Sequence, residues 1–191
     1  MLTTKIENID FFSDQVQFSD KFRTHIDFSD SSDVTFKDFA PVHDYLVHGD
    51  FAPRLVEKPG QLPKISGVLL QEEKDAQAER FAKIFLTASQ LQMAELQTLM
   101  VKKLQALYPL SPLYLLIVVK ICMRSDIWGC DAEGEMYAWL VDHIAEFYFL
   151  LVAQNGKQLV EILGESKVME AEVMAKIAEN PRACRKGVDD D

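Results

Sequence analysis

Two histidines and an aspartate stand close enough in the sequence to consider a metal site. His43, Asp44 and His48 lie within six residues, between Pro41 and Gly49. The histidines are five positions apart, so on a helix they would point about 140° away from each other. A zinc site would need ligands three or four residues apart and a third partner. The pattern therefore indicates surface histidines, and we predict no metal ion.

The three cysteines are the next candidates for chemistry. Cys122 and Cys130 are eight residues apart, with Asp131 and His143 further on, and Cys184 stands near the C-terminus. This spacing does not match a structural zinc pattern, and nothing local would activate a thiolate. Cys122 is predicted to be a small core residue. An odd count without paired spacing favours reduced thiols in an intracellular protein.

Alternating acids raise the possibility of a calcium loop. Asp131, Glu133 and Glu135 surround the start of a predicted helix, but they lack the further ligands and spacing of an EF-hand. Acids are also favoured near helix N-termini, which is our interpretation. The sequence contains no phosphate-binding glycine loop, nucleophile elbow or zinc-protease helix. We therefore predict that the chain is not an enzyme and holds no cofactor.

The charge balance restricts the classes of partner. The 191 residues carry a net charge of −10, whereas nucleic acids and anionic membranes require clustered Lys and Arg. Neither is predicted as a partner, and Lys102 and Lys103 are assigned to a solvated helix surface. The N-terminus lacks a signal-peptide pattern, and the longest apolar run, Leu113 to Val119, is shorter than the roughly 20 residues of a membrane span. An intracellular location, in the nucleus or cytoplasm, is expected.

These residues must be positioned by a largely helical chain. Residues 1–33 mix Phe with Asp and Ser and are predicted to be irregular, followed by a short strand at 34–36. Pro41 and Gly49 are typical of a helix start and end, so a short helix is predicted between them. Residues 51–56 are predicted to be extended and residues 57–71 to form a loop.

The centre of the chain is predicted to be a helical hairpin. Apolar residues recur at spacings of three and four over 81–91 and again over 93–107, with residues 71–80 leading into the first helix. Ser111 and Pro112 begin a helix at about 112–124 that is apolar nearly all round. A long helix over 135–153, a turn at Asn155-Gly156 and helices over 157–163 and 165–178 follow. The fold class predicted is mainly α, with a short sheet (α+β).

The hairpin and the segment before it resemble a known family. Residues 34–104 look like the C-terminal half of a BTB/POZ domain, with the signature helix end at Tyr45-Leu46-Val47-His48-Gly49. The paired helices match the family pattern at Phe85, Leu86, Ala88, Leu91, Met93, Leu96, Leu99, Lys103 and Leu104. The helices after Ser111 resemble the extension found in many fungal BTB proteins. The opening segment of the family pattern is not found in residues 1–33.

The resemblance implies a domain organisation. Residues 1–108 would form the BTB/POZ-like domain, with a truncated or diverged beginning over 1–33. Residues 109–180 would form a helical extension, and residues 181–191 a flexible tail. Because the family's dimer uses N-terminal elements that are not recognised here, a homodimer is possible but doubtful.

The resemblance also implies a function. The chain would be a protein–protein interaction module, acting by self-association, by recruiting a cullin-type ubiquitin ligase scaffold, or by assembling transcriptional complexes. Contacts to such a partner, or to another BTB protein, would involve Tyr45, His48, Phe51, Leu91 and Met93.

Two alternatives stay open. The first is a small all-helical enzyme or ligand carrier with a cavity between helices 112–124 and 135–153, lined by Trp128, Tyr137, Trp139 and His143. The second is a regulatory remnant that caps a partner's BTB domain without forming its own dimer.

Overall fold

A computed structural model describes residues 36–60, 62–67, 70–123 and 131–179. Contacts divide the chain into two units, Met1–Phe36 and Lys37–Asp191, and all described residues except Phe36 belong to the second. The predictions for residues 1–33, for most of the strand at 34–36, for Trp128 and Cys130 and for the tail at 181–191 lie outside the described residues.

Seven helices and one small sheet make up the described part of the chain. The helices are α1 (Phe36–His48), α2 (Gln71–Gln90), α3 (Ala94–Leu107), α4 (Pro112–Cys122), α5 (Asp131–Glu146), α6 (Tyr148–Glu165) and α7 (Lys167–Glu179). The strands are β1 (Leu55–Val56) and β2 (Lys64–Ile65), which pair antiparallel with Leu55 opposite Ile65. The predicted mainly α class with a short sheet is confirmed.

The predicted hairpin is the centre of this unit. α2 packs on both α3 and α4, α4 packs on α6, and α5 packs on α3 and α7. Phe81, Phe85, Leu96 and Leu104 are completely buried, as expected for apolar side chains spaced by three or four residues on one helix face. The small sheet lies against α3.

Helix α1 differs from its prediction at both the start and the proline. It begins at Phe36, so this residue is not in a strand, and Pro41 lies inside the helix rather than in its first turn. A proline there removes one backbone hydrogen bond. Burial of Phe39 and Val42, which are 4% and 0% exposed, offsets that loss. Gly49 ends the helix as predicted, with a positive φ of 72° that glycine adopts without steric cost.

The helical extension is divided differently from its prediction. The long helix predicted over 135–153 is broken at Phe147 into α5 and α6, which bend by 103°. Asn155 and Gly156 lie within the range of α6, but Asn155 has non-helical angles (φ −136°, ψ 30°) and a kink divides the helix there, as the predicted break at Asn155-Gly156 requires. The predicted loop over 57–71 contains β2. In the described residues no single helix is long and apolar enough to cross a membrane, and only the bent α5–α6 pair reaches that length and composition.

Candidate functional site

The end of α1 meets the beginning of α3. The Tyr45 hydroxyl donates a hydrogen bond to Glu95 Oε2 at 3.4 Å, although the two residues are fifty positions apart in the chain. Burial is the main cause that raises the pKa of Tyr45, and the Glu95 carboxylate adds to it. A protonated tyrosine is therefore the stable form at this contact. Two of the segments predicted to touch a partner thus lie side by side.

The α2–α3 turn presents two of the predicted contact residues. The residue between Leu91 and Met93 is Gln92. Its φ of 57° lies in the left-handed region, which residues other than glycine adopt uncommonly. Backbone hydrogen bonds of 3.0 Å from Leu91 N–H to Thr87 O and of 2.8 Å from Met93 N–H to Ala88 O tie the turn to α2. Leu91 and Met93 are half-buried, so part of each side chain remains on the surface.

The last turn of α1 also carries exposed apolar side chains. Leu46 is 48% exposed and Val47 is 44% exposed, and His48 is exposed as well. Phe39 and Val42 make the buried face of α1, and Leu46 lies outside that face. We call Tyr45, Leu46, Val47, His48, Leu91 and Met93 the α1–hairpin surface.

Phe51, the fifth predicted contact residue, is not on that surface. It is only 3% exposed, and its ring packs edge-on against Phe81 with centroids 6.1 Å apart. The Lys103 ammonium lies 3.9 Å from the centroid of the Phe51 ring, within the range of a cation–π contact. Phe51 therefore anchors its own loop to α2 and α3.

Lys103 is a buried charged residue that the sequence pattern did not predict. It was assigned to a solvated surface, yet its side chain is fully buried. Its Nζ donates to Asp50 Oδ1 at 2.5 Å, to Phe51 O at 2.7 Å and to Pro53 O at 2.9 Å. All three ammonium donors are thus used, which is how a buried charge is made tolerable.

The charge state of Lys103 follows from this environment. Burial lowers the pKa of Lys103, and the hydrogen bond and charge of Asp50 raise it part of the way back. The neighbouring Arg80 and Arg54 also lower it. Because every donor of its ammonium is bound, Lys103 has no free position for a substrate. Lys103 therefore acts as a structural link between α3 and the loop after α1. We call Lys103, Asp50 and Phe51 the Lys103 cluster.

A second buried polar group joins three helices. Glu133 is 3% exposed and its Oε1 accepts hydrogen bonds from the Ser89 hydroxyl at 2.6 Å and from Gln97 Nε2 at 3.0 Å. Glu133 lies in the first turn of α5, where a carboxylate is also favoured by the helix dipole. Glu133 therefore lies near a helix N-terminus, as predicted. Its hydrogen-bond partners, Ser89 on α2 and Gln97 on α3, could not be predicted from the local sequence pattern.

The residues proposed to line a cavity do not all share one face. The Trp139 and His143 rings meet edge-to-face with centroids 4.7 Å apart. The Tyr108 ring is tilted by 33° against His143, with centroids 4.2 Å apart. Tyr137 lies instead beside Glu172 of α7; burial, followed by that carboxylate, raises the pKa of Tyr137 to about 12. The aromatic groups near Tyr108 therefore pack on one another between α5 and the end of α3.

The remaining candidates for chemistry stay separate. His43 Nδ1 is 3.8 Å from Asp44 Oδ1, and among the described residues no group of three His, Cys, Asp or Glu could hold a metal ion. Cys122 is buried as predicted, and burial raises the pKa of its thiol to about 12. A thiol that stays protonated at neutral pH is a poor nucleophile.

Comparison of the chain with protein-family models, with curated proteins and with solved structures finds no match in any of the three.

Proposed function

We propose that this chain is a protein–protein interaction module of the BTB/POZ-like type, and that it binds partners through the α1–hairpin surface. The observation that carries the proposal is the contact between Tyr45 and Glu95. It joins the end of α1 to the first turn of α3, so residues distant in sequence could contact the same partner. The element order, a helix that ends at Gly49 followed by a paired-helix hairpin, is that of the family resemblance.

The chemistry of the α1–hairpin surface suits a helical protein partner. Leu46 and Val47 expose aliphatic area, while Leu91 and Met93 add half-buried side chains from the turn. His48 and the Tyr45–Glu95 pair add polar groups to these apolar residues. An apolar centre with a polar rim is the usual anatomy of a protein interface. A cullin-type scaffold or another BTB protein is the partner class that the resemblance implies.

The test measures binding to a purified cullin N-terminal domain by interferometry. The double variant Leu46→Glu with Val47→Glu places two charges in the proposed contact, and truncating interface centres commonly costs about 2 kcal/mol or more, or roughly 30-fold in Kd. The matched control is Val160→Glu with Val168→Glu, which changes two exposed valines on α6 and α7. Only the first pair should weaken binding.

Two results would count against the proposal. One is a well-folded wild-type protein that binds neither a cullin N-terminal domain nor another BTB domain. The other is an equal loss of binding in both double variants. Light scattering on the purified chain separates the modes of action, since a dimer favours self-association and a monomer favours a chain that caps or recruits a partner without pairing with itself.

A further inference from the structure

The β1–β2 hairpin carries positive charge on an otherwise acidic chain. Residues 50–67 contain Arg54, Lys58 and Lys64 against Asp50 and Glu57. Their neighbours on α2 and α3 add Arg80, Lys102 and Lys103, giving this region six basic side chains, two acidic ones and a net charge of +4. The whole chain carries −10, so the remaining residues carry −14. The positive charge is therefore confined to this region, whereas the rest of the chain is acidic.

Hydrogen bonds and ion pairs hold Arg80, Lys102 and Lys103 against residues 50–57, next to the β1–β2 hairpin. Arg80 Nη1 donates to Ala52 O at 3.3 Å, and its guanidinium carbon lies 5.7 Å from the centroid of the Phe51 ring. Lys102 Nζ pairs with Glu57 Oε1 at 3.0 Å, and Asp50 is held by Lys103. Both acids of the region are therefore already engaged by lysines. Within the described ranges, no carboxylate pairs with the guanidinium of Arg54 or of Arg80.

The same region exposes aliphatic side chains. Leu62 is 85% exposed and Val56 is 40% exposed, and Val56 lies directly opposite Lys64 in the sheet. Arg54, Lys58, Lys64 and Arg80 are exposed. We define the basic hairpin surface as the following residues: Arg54, Val56, Lys58, Leu62, Lys64, Arg80 and Lys102.

We infer that the basic hairpin surface is a docking site for an acidic peptide segment of a partner protein, one in which Asp or Glu residues flank an aliphatic or aromatic residue. The cations would pair with the carboxylates, with Arg54 and Arg80 able to bind them in bidentate geometry. Leu62 and Val56 would cover the apolar residue. Charge complementarity selects the occupant, because a peptide of this chemistry matches both features of the surface.

A nucleic acid fits the same surface less well. Charges beyond a Debye length of about 8 Å at physiological ionic strength are largely screened, so a short peptide would sense chiefly the local charge of +4. A long polyanion extends past the β1–β2 hairpin and meets the acidic remainder of the chain, which would repel it.

The basic hairpin surface is separate from the α1–hairpin surface. On α3, its residue Lys102 lies about 10 Å from Glu95, at 1.5 Å per residue.

The test is fluorescence anisotropy with a labelled short peptide of alternating Glu and Leu, and with a Gln-Leu peptide as the neutral probe. The double variant Arg54→Glu with Lys64→Glu reverses two charges whose side chains make no ion pair in the described residues. The matched control, Lys120→Glu with Lys157→Glu, makes the same charge change at exposed lysines on α4 and α6. Circular dichroism verifies that all variants fold.

We expect the wild type and the control to bind the acidic probe, with affinity falling as salt is raised. The Arg54/Lys64 variant should bind roughly tenfold more weakly, because two attractive charges become repulsive. Three results would overturn the inference: no binding of the acidic probe, equal binding in the two double variants, or tighter binding of a DNA duplex or anionic vesicles than of the peptide. A change of oligomeric state in the Arg54/Lys64 variant would instead assign the surface to a second copy of the chain. None of these outcomes bears on cullin binding by the α1–hairpin surface.

Discussion

Replacing Lys103 by methionine is expected to lower the free energy of unfolding by about 3 kcal/mol. The substitution keeps an unbranched apolar stem but removes the ammonium, and with it the bonds to Asp50 Oδ1 (2.5 Å), Phe51 O (2.7 Å) and Pro53 O (2.9 Å). It also removes the cation–π contact at 3.9 Å, worth about 0.5–2 kcal/mol. The loop after α1 then loses its main connection to α3.

The magnitude results from two opposing terms. Hydrogen bonds to a charged group contribute about 1.5–3 kcal/mol each, but the ammonium of wild-type Lys103 also has to be desolvated, which costs several kcal/mol. Breaking a buried pair costs about 3–5 kcal/mol. The lower end applies here because Asp50 is 23% exposed and keeps its hydrogen bonds from the backbone N–H groups of Phe51 and Leu55.

The neighbouring Lys102 supplies the control. Its ion pair with Glu57 is exposed, at 45% and 54% for the two side chains, so Lys102→Met should cost no more than about 1 kcal/mol. Urea denaturation measures both variants, and hydrogen exchange of the amides at Phe51 and Leu55 localises the effect to the loop. The reasoning is wrong if Lys103→Met is as stable as Lys102→Met, or if the loss of protection spreads evenly over the unit.

Two further predictions test the helical packing and its titration. Glu133→Ala should lower the free energy of unfolding by about 2–4 kcal/mol, because it removes the acceptor of two buried hydrogen bonds. Glu135→Ala, at an exposed position that accepts one hydrogen bond from Gln105, should change it by less than about 1 kcal/mol in the same urea assay; equal effects would argue against the buried contact. Tyr137 keeps its proton in the folded state up to about pH 12 but loses it at about 10.0 when unfolded, so the stability it contributes is fully present below pH 10 and is lost as the pH rises from 10 to 12. Tyr137→Phe should make the fall in melting temperature between pH 10 and pH 12 shallower, and an unchanged slope would show that burial beside Glu172 is not its cause.

Much of the helical framework could be predicted because it depends on local pattern. The apolar spacing of three and four residues in α2 and α3 requires one buried face wherever the helices lie. Ser111 and Pro112 marked the start of α4 correctly, since an N-cap position and a first-turn proline are properties of the backbone itself. Gly49 marked the end of α1 for the same reason.

Local pattern gave the wrong result where a distant segment changes the environment. Pro41 reads as a helix start, but burial of Phe39 and Val42 extends α1 past it. The helix break that Asn155 and Gly156 predict is present, by contrast, because Asn155 has non-helical angles. In α1, burial outweighs the cost of a proline inside a helix, which is about 3 kcal/mol.

The sequence by itself determined that this chain is mainly helical, that its apolar hairpin forms the centre of the core, and that no familiar catalytic motif is present. Only the tertiary structure decided that Lys103 is buried rather than solvated, that Phe51 is an anchor, and that Tyr45 meets Glu95. The reason is that periodicity depends on neighbours three or four positions away, whereas the burial of a charge depends on the loop that closes over it, here about fifty positions away in the chain.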